Sequence, residues 1–319
     1  MPVRFTSPSL GGQRDDFFKS GEWAIAVTAR HLHADEFFVG KERNQTASPF
    51  GEPIDINVSS LDLSATYGVT RRLRVTFTVP LSAGKETRTY SDRLRHEQVV
   101  RGVGDLNVIA NLWLMQPDDS PDGNVALGVG LKAPTGNSRV EDEFIAADGT
   151  ITKVVADQAI QLGDGGWGII AEAQAYRRIA WRLNAYALGS YLVSPREKTL
   201  VPSPLAGVFW SVPDVYLARA GFAVSLLPSG RASMNLGLRL DGTPVRDLVG
   251  GNDGFRRPAH ALYGDPGAAM RFGRHEVTVS MPFRIQQEFE RSLIFRERNL
   301  RQGGDLAGSL LFVGYGVRL

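Results

Sequence analysis

The sequence predicts an all-β protein: a single-domain, transmembrane, antiparallel up-and-down β-barrel of twelve strands spanning residues 1–319. Three observations predict it. Apolar and polar residues alternate at period two over long runs, helical periodicity is hard to find anywhere, and connectors between the runs alternate between short and long.

The alternation is clearest in Leu73, Val75, Phe77, Val79 and Leu81, which interleave with Arg74, Thr76, Thr78, Pro80 and Ser82. Successive side chains of a strand point to opposite faces, so this run has one apolar and one polar face. The preceding run, Leu61, Leu63, Ala65, Tyr67 and Val69, does the same and joins it through Thr70-Arg71-Arg72. The pattern recurs over Leu106–Leu114, Val125–Ala133, Trp167–Ala175, Leu183–Tyr191, Met234–Leu240 and Val277–Ile285.

Soluble sandwich strands average about five or six residues. The runs here last roughly nine to thirteen, the length a tilted strand needs to cross a bilayer. Their non-apolar faces carry Gly, Ser, Asn and charges, as a barrel lumen does. Trp23, Tyr67, Trp167, Trp181 and Tyr191 stand near run ends, where interfacial aromatic girdles form.

Connector lengths are a second test. Short turns are expected near 70–72, 116–123, 177–180, 228–232 and 273–275, and long external loops near 37–55, 84–102, 135–165, 195–214, 242–260 and 288–304. They interleave if Leu205–Pro213 is loop; counting Leu205–Ser211 as a strand would put the 242–260 segment on the turn side. Twelve strands with both termini periplasmic follow, with residues 1–20 a periplasmic N-terminal segment. Met1-Pro2-Val3 lacks the charged and apolar regions of a secretion signal, so a leader is expected to have been removed from this numbering. The expected location is the bacterial outer membrane.

Composition narrows the classes. Net charge is +2, from 36 basic and 34 acidic residues, so no nucleic-acid partner is indicated. Cysteine is absent, which removes disulfides, thiolate metal sites and cysteine nucleophiles. No run approaches the 18 apolar residues of a membrane helix. A mean hydropathy of −0.14 reads as soluble only if its pattern is ignored.

Several strings resemble a known family. Gly102-Val103-Gly104-Asp105-Leu106 followed by Ala133-Pro134-Thr135-Gly136, then Val212–Gly221, Asp241–Val245 and Asp247–Pro258, resemble the outer-membrane barrels of the "meta-pathway of phenol degradation" family. These are transporter-like proteins of Gram-negative bacteria. The resemblance covers roughly residues 55–319 and implies uptake of aromatic compounds. The closing run Leu311, Val313, Tyr315, Val317, Leu319 resembles the signal read by the outer-membrane assembly machinery, although it ends in Leu where Phe or Trp is usual. The bilayer and its lipopolysaccharide are the other expected partners, with a homo-oligomer or a protein partner left open.

By parity, Arg30, Arg74, Lys132, Arg182, Arg219, Arg239, Arg271 and Arg284 face the lumen, with Asp62, Asp105, Glu172, Asp241 and Asp265. A narrow polar pore that slightly favours anions is one reading. The other is that these charges pair and brace a nearly closed barrel, because unpaired charge in a confined interior is costly. Asp247, Asp253, Phe255, Arg256 and Arg257 belong to a glycine-rich loop. Either it enters the pore as a constriction with both arginines towards the permeant, or the arginines clamp loop carboxylates.

His31 and His33 with nearby Glu36 are too few ligands at defined spacing for a metal site. Glu141-Asp142-Glu143 reads as a solvated charge run. No histidine has an identifiable serine partner and Gly104 lies in no phosphate loop, so neither catalysis nor a cofactor is expected. The leading expectation is a channel for small solutes, aromatic or anionic. The alternative is a largely closed barrel that anchors a partner through its loops or periplasmic side.

Overall fold

The computed structural model describes residues 17–44, 54–90 and 92–319. The expected N-terminal segment up to residue 16 and residues 45–53 of the first long loop lie outside the described residues.

One antiparallel sheet closes on itself. Its strands are Trp23–Ala34, Asp55–Gly68, Leu73–Thr89, Arg95–Val103, Leu106–Trp113, Gly123–Ala133, Gly168–Ala180, Leu183–Val193, Val215–Ser225, Ala232–Thr243, Ala259–Phe272, His275–Ser280, Phe283–Phe289 and Ser309–Arg318. The first and last pair from Ala24 opposite Arg318 to His33 opposite Ser309, which completes the barrel.

Two of the twelve staves are interrupted. Arg95–Val103 and Leu106–Trp113 both pair with Leu73–Thr89, and Gly104-Asp105 separates them. His275–Ser280 and Phe283–Phe289 both pair with Ala259–Phe272 and are separated by Met281-Pro282. Proline has no N–H for the ladder, which accounts for a break at that point.

The outward positions form an apolar belt. Leu127, Val129, Leu131, Leu236, Leu238 and Ile285 are each at least half exposed on the barrel wall. Such a surface is unstable in water and suits lipid. Trp23 packs on Tyr67 with ring centroids 4.7 Å apart at the turn-side rim. On Leu73–Thr89 the outward apolar run ends at Leu81 and gives way to Ala83, Lys85 and Thr87, so the hairpin continues past the belt.

Two connectors differ from expectation. The 84–102 segment is mostly strand, with its hairpin tip between Thr89 and Arg95. The turn expected at 177–180 falls at Trp181-Arg182, because the register shifts between Arg178 and Ala180 and moves the strand end beyond the periodic run. Phe209–Ser211 is a short strand paired within its own loop to Lys198–Pro202. It adds no stave.

Candidate functional site

Among the described residues the lumen shows a turn-side and a loop-side cavity that share no lining residue. The turn-side cavity, about 280 Å³, carries Arg30, Arg74, Lys132, Arg271, Arg274 and Arg318 against Asp62, Asp105, Glu172 and Glu276. The loop-side cavity is smaller, about 110 Å³, and is bounded by Leu32, Ile56, Trp210, Tyr263, Phe289 and Leu306.

An apolar septum lies between them. Leu32, Val58, Tyr263 and Leu310 on the wall meet Ile160 and Ala307 from the long connectors, with Leu162 packed alongside. Ile160 and Leu162 belong to an inward-folded segment, residues 156–166. Gln158 and Ala159 face the loop-side cavity, whereas Ile160, Gln161 and Leu162 face the turn-side one.

Wall glycines seat this segment. A Cβ on Gly84 would come within 2.6 Å of the Ile160 Cβ, and one on Gly102 within 2.7 Å of the Leu162 Cδ1. Side chains are missing where the segment needs room. The Gly102–Leu106 and Ala133–Gly136 strings therefore acquire a structural role. Asp105 accepts from Lys132 Nζ at 3.1 Å and from Gly136 N at 3.0 Å. The Thr135 hydroxyl donates to the Gly104 carbonyl at 2.9 Å. Lys132 also donates to Asp164 Oδ1 at 2.5 Å and to the Gly166 carbonyl at 2.8 Å, tying the segment to the wall.

The other parity-assigned residues occupy distinct positions. Arg30 donates to Ser60 Oγ at 2.9 Å and lies 3.8 Å from Asp62. Glu172 accepts from Asn111 and Ser190, and Arg271 reaches Glu276 at 3.3 Å. Arg219 and Asp265 are 2.6 Å apart, with Ser280 donating to the same carboxylate, and Arg239 pairs with Asp241 at 2.8 Å. These two pairs line the wall away from the turn-side cavity. Arg284 is higher, bonded to Glu36 and, at 2.7 Å, to Asp305. Arg182 belongs to the turn-side rim: its guanidinium stacks 3.9 Å over Trp181 and lines neither cavity.

In the 247–258 loop, Arg256 is fully buried and clamps Asp247 through two bonds of 2.7 and 2.6 Å. It lines neither cavity. Burial pushes the Asp247 carboxyl above its usual range, and the Arg256 pair opposes the shift. Asp253 pairs with Lys198 at 2.5 Å, and Phe255 packs edge-on to Trp210 at 4.4 Å. Arg257 lines the loop-side cavity.

His31 and His33 point outward, where His31 contacts Ser59 and His33 approaches Asp55, while Glu36 is held by Arg284 and Arg43. Among the described residues no group of three candidate ligands gathers. Asp142 of the acidic run accepts from Val99 N at 2.6 Å, so it braces two loop strands.

Parity reasoning missed Asp164 and the seating role of Ile160 and Leu162, which lie in a connector without periodicity. It also missed the turn-side mouth, where Phe17 packs edge-on to Trp113 at 5.0 Å and Phe18 lies under Arg318 at 4.9 Å. The Gly163-Asp164-Gly165-Gly166 string was the available signal for a tight inward turn.

The fold and its two-faced wall define a transmembrane β-barrel of the outer-membrane type. A crystal structure of an outer-membrane channel from Pseudomonas putida F1 is similar over 96% of this chain and 98% of that one, at 16% identity and a TM-score of 0.64. Weaker likenesses are a Pseudomonas aeruginosa FadL homologue, at 8% identity and TM-score 0.45 over 93% of this chain and 90% of that chain, and the P. putida toluene transporter TodX, at 9% identity and TM-score 0.45 over 95% and 91%. No family model matches the sequence, and no curated protein matches it.

Proposed function

We propose that the protein is an outer-membrane channel for small solutes, aromatic or anionic, with its short turns and both termini on the periplasmic side. One observation carries the reading. A closed barrel with an apolar outer belt encloses a cavity in which six basic residues face four acidic ones. Such a lining replaces part of a solute's hydration and disfavours excess positive charge. The family resemblance of the Gly102–Leu106 and Ala133–Gly136 strings supports the same class.

On this reading the septum closes the channel. Passage requires the 156–166 segment to withdraw from its glycine seat. Single-channel recording in planar bilayers is the test: discrete conductance steps with a preference for anions are expected, and a silent bilayer at both polarities rejects the channel. The septum also favours a second reading, a permanently closed barrel that anchors a partner through its loops. Recovery of the barrel alone from native membranes argues against that.

A further inference from the structure

We infer that the loop-side cavity is a binding site for a small aromatic carboxylate, with its ring against Tyr263, Phe289 and Leu32 and its carboxylate on Arg257. The inference deepens the channel reading and rests on it only for the ligand being cargo; the binding is tested without conduction.

The charges around this cavity are unequal in their engagement. Asp241 is neutralised by Arg239 at 2.8 Å, and Asp305 and Glu36 share Arg284. Arg257 has no carboxylate within ion-pair distance among the described residues. One more acid, Glu86, lies within its electrostatic reach but is paired with Arg88 at 3.3 Å. The Arg257 guanidinium sits 5.3 Å from the Trp210 ring centroid and 5.8 Å from that of Phe255. The two rings hold the guanidinium at the cavity wall.

A guanidinium without a carboxylate partner matches a planar carboxylate, which accepts two parallel N–H bonds. The remaining wall is largely apolar and rewards an aromatic ring. A neutral ring leaves the cation without its partner, and an ammonium is repelled by it.

Calorimetry on the detergent-purified full chain, with benzoate, toluene, benzylamine and acetate as probes, tests the site. Benzoate should bind at least about tenfold tighter than the other three, the scale of a hydrogen-bonded charged group. Arg257→Gln should weaken benzoate about tenfold and leave toluene within about twofold. Ala159→Phe fills the cavity without touching the arginine and should weaken both. Unchanged benzoate affinity in Arg257→Gln, acetate binding as well as benzoate, or no benzoate binding overturns the inference. Should Arg257→Gln not fold, unchanged benzoate affinity in Ala159→Phe overturns it instead. A silent bilayer with intact benzoate binding removes the channel and keeps the site; conduction without benzoate binding does the reverse.

Discussion

Lys132 Nζ lies 2.5 Å from Asp164 Oδ1 inside the barrel, joining the inner wall to the segment that closes it. Both side chains are buried, and Asp105 completes the cluster at 3.1 Å from the same nitrogen. Removing the cation leaves two carboxylates in a confined space. Lys132→Ala should cost about 3–5 kcal/mol, the penalty for breaking a buried ion pair. Equilibrium unfolding in detergent measures it. Asp164→Asn frees only the segment, so it should raise open probability in bilayers while most of the stability persists.

The glycine seat makes a steric prediction. A side chain at Gly84 collides with the backbone and Cβ of Ile160, which have no flexible end to yield. Gly84→Val should therefore expel the segment and raise conductance severalfold. Conductance equal to that of the native chain would mean that the segment is not the closure.

Glu86 adds a pH dependence. It sits in the hairpin beyond the apolar belt and is 1% exposed. Burial, with the Asp157 charge second, raises its carboxyl to about 7, while Arg88 opposes the rise. The folded pKa is thus above the unfolded one. The stability this group contributes is fully present below the unfolded value and is lost as pH rises through about 7. Asp157 begins the inward turn, so ionising Glu86 also sets two like charges against each other there. Melting in detergent should fall between about pH 4.5 and pH 7 and level off above, and Glu86→Gln should flatten that change. An equal fall in both proteins refutes it.

The belt can be tested on its own. Leu236 is 65% exposed on the outer wall. Leu236→Arg should cost about 2–4 kcal/mol near the bilayer midplane. Folding into liposomes reports the cost. No effect there would disconnect this face from lipid.

Much of this architecture was legible in the sequence. Val75, Phe77 and Val79 announce their face because a strand's side-chain direction depends only on parity. The strand count came from runs and connectors, and the closed pairing of Trp23–Ala34 with Ser309–Arg318 agrees with it. Parity does not place Arg182, which lies in the turn between Ala180 and Leu183 at the rim. It also says nothing of height along the barrel. Arg284 and Arg74 share an inward assignment yet serve loop and turn ends respectively.

What the sequence by itself determined is local: alternation at period two sets an apolar face outward and a polar face inward, whatever the rest of the chain does. Whether that interior is open was decided only in three dimensions. Ile160 meets Gly84, and Asp164 meets Lys132, across stretches of chain that share no period. Arg256 and Arg257 show the same limit. They are adjacent in sequence and chemically alike, yet one is spent on Asp247 and the other is left at a cavity wall. Their neighbours in space come from distant strands and loops, and no local pattern records them.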